Sequence, residues 1–133
     1  ITILAAASLS SAQVAQADSL SEARQGAKRG AAIFQKTYGE SGMLGLNAAS
    51  KDCWKAYRGK LSARKFAECA SLDLNSFHLD NAASKQMGWE PDAYMTGKKT
   101  IERYERAEKA LKLSAKEQEA IGEIVVGSAT IGR

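Results

Sequence analysis

The two cysteines of the chain, Cys53 and Cys69, lie in a stretch that also holds many of its reactive side chains, KDCWKAYRGKLSARKFAECASLDL. Their spacing is not C-x-x-C, and a single histidine leaves few further ligands for a metal. Cys53 precedes Gly59 by six residues and Cys69 follows Ser62 by seven. If the segment between Gly59 and Ser62 is a helix–helix turn, the sulfurs lie at similar heights, roughly 9–10 Å along each axis. We therefore predict a structural disulfide, and neither a redox nor a metal site.

The same stretch carries the strongest local charge of the sequence. Between Lys51 and Ala67, six basic side chains stand against one acid, Asp52, a net of +5, whereas the whole chain has a net charge of +4. Trp54 and Tyr57 are interleaved with them. One interpretation is a solvated hairpin face with its aromatic side chains packed inward. The other is a binding surface for anionic lipid headgroups, cell-wall polymers or an acidic protein partner, and its residues are Lys51, Lys55, Arg58, Lys60, Arg64 and Lys65.

Three further features could serve recognition or catalysis. Trp89 and Tyr94 flank the segment Glu-Pro-Asp-Ala and form a candidate aromatic surface, or else close one end of the fold. His78 is the only histidine; without a nucleophile motif nearby, we expect a boundary residue whose ring is hydrogen-bonded. Glu68 and Asp73 are the least conventional carboxylates, but nothing in the sequence selects them as an acid–base pair. We expect binding without catalysis, and no cofactor or metal.

The first 17 residues have no charge and pass from an apolar start to small side chains. Ala15-Gln16-Ala17 matches the small-x-small cleavage pattern, so residues 1–17 are interpreted as the C-terminal part of a signal peptide and 18–133 as one domain. A retained anchor is the alternative, although the segment is shorter than the about 20 residues that a bilayer needs. We therefore expect a periplasmic or secreted protein without a transmembrane span after cleavage, in a compartment that favours disulfides and offers little nucleic acid.

Helix-forming residues dominate the interior of the chain and only one proline is present, so the fold is predicted to be all-α. The spacing of apolar residues predicts helices over 20–38, 48–58, 63–87 and 97–113, and a last one after a capping box of Ser114 and Glu117. Gly39 is predicted to end the first helix, with a connector over 40–47. A small-residue face on that helix, formed by Ala23, Ala27, Gly30 and Ala31, allows close approach of a neighbour. The prediction is a compact bundle of four to five helices with one disulfide across an αα-hairpin.

These observations leave three classes of function open. The first is a protein-interaction role in the cell envelope, such as an accessory subunit of a complex or an inhibitor of the immunity type. The second is a carrier of a small apolar or anionic ligand, and the third is a cell-wall-active enzyme. An internal cavity would favour the carrier, an exposed aromatic and basic surface would favour the protein partner, and a cleft with converging carboxylates would favour the enzyme.

Overall fold

The computed structural model describes residues 10–130, and within this range every regular element is a helix. The helices are α1 (Ser11–Gly59), α2 (Ala63–Met87), α3 (Gly97–Leu111) and α4 (Ala115–Gly127). The predicted all-α bundle is confirmed. Of the predicted signal peptide, residues 1–9 lie outside the described range and 10–17 belong to the start of α1, so its cleavage stays a prediction.

Helix α1 consists of two helical segments that meet at Gly42, so two helices are present as predicted, but the connector expected over 40–47 is reduced to one non-helical residue. It begins after Ser10, which forms a capping box with Gln13, and its only internal break is at Gly42 (φ 61°, ψ −154°). Gly39 lies inside the helix. The second segment begins before the predicted start at Ala48: Leu46, Ser50, Cys53 and Tyr57 follow one helical face and are all buried, so packing supports the helix after Gly42.

Helix α2 has the predicted bounds and is the central element of the bundle. Ser62 caps it by accepting a hydrogen bond from the Lys65 backbone, at 3.0 Å. All residues from Phe66 to Asp73 are buried. A helix buried on so many sides explains the broad apolar surface in its sequence.

Helices α1 and α2 pack with almost no space between their backbones. A Cβ atom added at Gly30 would lie 2.2 Å from the Glu68 carbonyl oxygen, and one at Gly26 would lie 1.9 Å from that of Arg64. Ala23 and Ala27 on the same face are fully buried. The predicted small-residue face is therefore confirmed as the close contact between the first segment of α1 and α2.

The predicted disulfide between Cys53 and Cys69 is present, with a Cα–Cα distance of 5.6 Å. A cluster of aromatic rings lies close to it in the core. The Trp54 and Tyr57 rings meet edge to face at 5.6 Å between centroids, and the Phe66 ring lies 4.9 Å from that of Tyr104. These contacts stabilise the hairpin and connect it to α3.

Helices α3 and α4 bury far fewer residues than α2 does. The predicted capping box of Ser114 and Glu117 is present at the start of α4, which buries Ile121 and Val125. Helix α3 buries only Ala107, so most of it lies on the surface. Between residues 10 and 130, no helix combines the length and apolar character needed to cross a membrane.

Candidate functional site

The six basic residues of the predicted surface do not form one patch. Lys51 and Arg58 line a cleft between α1, α3 and the loop before α3. Lys60, Arg64 and Lys65 line a separate depression, where acidic side chains are also present. Lys55 is exposed and lines neither. The basic excess is thus divided over two faces of the hairpin, and the two faces differ in their acidic content.

The cleft has a volume of about 340 Å³ and is open to solvent. Arg103 and Arg106 of α3 add two cations to those of α1, and no carboxylate belongs to its lining. The rest of the wall is aromatic or apolar, from Trp54, Tyr57, Leu61, Tyr94, Ala107 and Ala110. The structure therefore joins cations of two helices over an apolar floor.

A buried carboxylate holds these parts in place. Asp73 of α2 accepts hydrogen bonds from the Trp54 indole (3.0 Å), the Arg103 Nε (2.8 Å) and the Ser50 hydroxyl. The side chain of Asp73 is 4% exposed and that of Arg103 is 14% exposed, so the ion pair is largely shielded from water. Arg103 also donates to the Tyr94 carbonyl oxygen, at 2.7 Å. One carboxylate thus connects α1, α2, α3 and the loop before α3.

Tyr94 lies against two of the cations. The Arg103 guanidinium is 3.9 Å from the centre of its ring and the Lys51 ammonium is 5.1 Å away. Its hydroxyl is 2.8 Å from that of Ser50. Burial raises the pKa of Tyr94, and the Ser50 hydrogen bond and the Arg103 charge oppose this rise only in part. Tyr94 therefore remains a neutral phenol at physiological pH.

Three of the four cations in the cleft lack a salt bridge. Among residues 10–130, Arg103 pairs with Asp73, whereas Lys51, Arg58 and Arg106 have no carboxylate within 4.0 Å. In contrast, Lys65 in the other depression lies 2.5 Å from Glu68. The net charge available to an incoming group is therefore greater in the cleft.

The sequence does not reveal Arg103 and Arg106 as site residues, because three acids are interspersed among the five basic residues of α3. Its alternating acids and bases suggest a solvated face with pairs four residues apart. The ion pair found within α3 is Lys99 with Glu102, at 4.0 Å, while Arg103 turns inward to Asp73. The only sequence signal was the unusual presence of Asp73 in an apolar helix.

The candidate aromatic surface of Trp89 and Tyr94 is also divided. Trp89 is 64% exposed, Tyr94 lies in the cleft, and no ring contact joins them in the described chain. Asp92 fixes the loop between them: it accepts from the Tyr94 backbone at 3.0 Å and from the Asn47 amide at 3.0 Å. Its own backbone donates to Asp80, at 2.9 Å. The loop before α3 is therefore a well-bonded wall of the cleft.

The disulfide has a carboxylate beside it but offers no metal site in this state. Glu68 Oε2 lies 3.7 Å from the Cys53 sulfur, and together with Cys69 these groups fall within 4.8 Å. Both sulfurs are bonded to each other, so neither is a thiolate ligand. Glu68 instead contacts Lys65 and, at 3.7 Å, Arg29.

A second depression lies on the other side of α3, between α3 and α4. Its volume is about 410 Å³ and its lining is mostly apolar, with Leu74, Ile101, Val125 and Val126. The acids Asp73, Glu105 and Glu108 also line it. Burial raises the pKa of the Glu108 carboxyl, a shift opposed in part by a hydrogen bond with Tyr104. This groove differs from the cleft in both charge and polarity.

His78 lines neither the cleft, nor the depression that contains Glu68, nor the groove between α3 and α4. The residue is half-buried and its ring is 5.4 Å from that of Phe77. The hydrogen bond predicted for it is not formed with any described residue. The environment of His78 is therefore that of a boundary side chain packed on an aromatic neighbour.

Comparison of the chain with protein-family models, curated proteins and solved structures finds no match.

Proposed function

We propose that this protein acts by binding an acidic protein partner, and that the cleft between α1 and α3 is the contact site. The observation that carries the proposal is the convergence of Lys51, Arg58, Arg103 and Arg106 on a cleft with no carboxylate in its lining. A cleft of one sign of charge with apolar walls concentrates the electrostatic potential. An anion bound there would relieve the repulsion among these cations.

A protein fits the surface better than a small anion does. The cleft is open to solvent, and the three cations without a salt bridge, Lys51, Arg58 and Arg106, belong to exposed residues on two helices. Exposed cations spread along an open cleft favour a macromolecular partner, which charge complementarity would steer and orient.

The predicted signal peptide supports a role in the cell envelope. An exported protein with an acidic partner would act as an accessory subunit of an envelope complex or as an inhibitor of the immunity type. Both roles are compatible with a hairpin that a disulfide holds in shape, because a pre-organised surface loses less entropy on binding.

Carriage of a small apolar ligand is the second candidate function. The groove between α3 and α4 favours it, since its volume of about 410 Å³ falls within the range of about 300–1,000 Å³ found for ligand sites. Binding of a neutral apolar dye that Val126→Glu abolishes and that Arg58→Glu leaves unchanged would support this candidate.

The partner proposal is tested with poly-L-glutamate as a model acidic chain. Arg58 and Arg106 contribute one free cation from each helix, so we expect the double variant Arg58→Glu/Arg106→Glu to lower affinity at least about tenfold. The matched control is Lys55→Glu/Lys109→Glu, which reverses one exposed charge on each of the same helices outside the cleft. Binding is measured by calorimetry at two salt concentrations.

The affinity of the control variant should fall less than about threefold, because the reversed charges lie outside the cleft and act on the acidic chain only through screened, longer-range interactions. If both double variants lose affinity equally, the cleft has no special role and binding follows net charge. If neither variant changes the affinity, the proposed contact site is wrong.

A further inference from the structure

We infer that the cleft recognises a large apolar side chain flanked by carboxylates, so that one residue of the acidic partner inserts while its neighbours bind the arginines. This inference rests on the proposed function and defines the segment that the partner presents. The cleft has an apolar floor and free cations, and neither a simple anion nor an uncharged apolar group could contact both.

The floor of the cleft is apolar and firm. Trp54 and Tyr57 are 4% and 2% exposed, and each is anchored by a hydrogen bond, the indole to Asp73 and the phenol to the Ala107 carbonyl oxygen. Leu61 differs, because it is 47% exposed at the tip of the hairpin while lining the cleft. An apolar side chain against this floor would remove Leu61 from water without moving the core.

The free cations complete the other half of the site. Arg58 and Arg106 line the same cleft without a salt bridge, whereas Arg103 is neutralised by Asp73. A carboxylate without an apolar group would pair with Arg58 and Arg106 but would leave the apolar floor of the cleft exposed to water. An uncharged apolar group would cover the floor but desolvate the two guanidinium groups without compensation. An apolar anchor surrounded by charged contacts is the arrangement that concentrates binding energy in protein interfaces.

The size of the cleft limits what enters it. At about 340 Å³ it is near the lower end of ligand sites, which begin at about 300 Å³. Ala107 and Ala110 of α3 provide this space because their side chains are small. The cleft therefore has room for one large side chain, and the rest of the partner segment lies across its rim.

The test uses three blocked pentapeptides: Glu-Glu-Phe-Glu-Glu, Glu-Glu-Ser-Glu-Glu and Gln-Gln-Phe-Gln-Gln. The protein carries Trp89→Phe, which leaves Trp54 in the cleft as the only tryptophan and reporter. We expect the acidic phenylalanine peptide to bind about tenfold or more tightly than either of the other two. Affinities come from titration of tryptophan fluorescence, with calorimetry as a second readout.

Two variants locate the effect, and a third controls for it. Leu61→Ser removes part of the apolar wall, and Ala110→Leu fills the cleft with a residue that favours helix. Both should reduce the advantage of phenylalanine over serine to less than about threefold. Leu44→Ser, at a position 83% exposed and outside the cleft, should leave the advantage unchanged.

The outcomes separate the inference from the function on which it rests. Equal affinity for the two acidic peptides overturns the apolar anchor and leaves an acidic partner in place. Equal affinity for the two phenylalanine peptides overturns the requirement for flanking carboxylates. Failure of both acidic peptides and of poly-L-glutamate to bind overturns the proposed function itself.

Discussion

Replacement of Asp73 by asparagine is expected to destabilise the fold more than any other single change of charge on α2. The asparagine keeps the shape of the side chain but leaves Arg103 without its counter-ion. Its amide can turn toward the Ser50 hydroxyl, which is able to accept as well as donate, so the hydrogen bond to Trp54 can be retained. The loss is then mainly the charge of a buried pair.

The magnitude follows from the burial of the two partners. Breaking a buried ion pair by removing one member costs about 3–5 kcal/mol. The Asp73 side chain is 4% exposed, but that of Arg103 is 14% exposed and can reach some water. We therefore expect the lower end, a decrease of about 3 kcal/mol in the free energy of unfolding.

The assay is urea unfolding followed by far-ultraviolet circular dichroism, read as a change in midpoint at constant slope. Glu68→Gln is the matched control on the same helix, because its partners Lys65 and Arg29 are 35% and 71% exposed. That variant should lose about 1 kcal/mol or less. If Asp73→Asn loses no more than the control, the pair does not hold the cleft together and the structural reasoning fails.

Three further predictions concern the hairpin and its aromatic core. Gly30→Ala should lower the free energy of unfolding by about 1–3 kcal/mol in urea melts, because the added methyl group meets α2 backbone; an unchanged midpoint would contradict the close packing. Replacing Cys53 and Cys69 together by alanine should lower the free energy of unfolding by about 3 kcal/mol, because the disulfide no longer restricts the loop between residues 16 apart in the unfolded chain. A decrease of less than about 1 kcal/mol in the same melts would show that the disulfide contributes little to stability. Burial raises the pKa of Tyr57 and of Tyr104 to about 12. Between pH 10 and pH 12 the unfolded chain therefore releases phenolic protons more readily than the folded one, so the free energy of unfolding falls as pH rises. Urea melts at successive pH values measure this decrease, and a constant free energy of unfolding across the window would refute the prediction.

Local signals predicted much of the C-terminal fold. Ser62 and Ser114 mark helix starts by their own side chains, and the interval between Cys53 and Cys69 fits an antiparallel hairpin, so each of these features needed only a few residues of context. The path of α1 needed more. Gly39 was predicted to end the first helix, whereas the break lies at Gly42 and the second segment already includes the buried Leu46.

The residues of the cleft were harder to predict from local sequence than the path of α1. Lys51 and Arg58 were identified by local charge density, whereas Arg103 and Arg106 lie some 50 residues away in a segment of mixed charge. Their contribution depends on where α3 docks, and a hydrogen bond from Arg103 to a buried carboxylate directs it. Periodicity in a single sequence carries no information on such a pairing between helices.

The most direct measurement of the central claim is a map of backbone amide shifts while an acidic peptide is titrated into the isotope-labelled protein. If the acidic partner binds in the cleft, the largest changes will cluster there, on Lys51, Arg58, Tyr94 and Arg106. Largest changes on Lys60, Arg64 and Lys65, in the depression where Glu68 already supplies a counter-ion, would show that the acidic chain binds elsewhere and would contradict this claim.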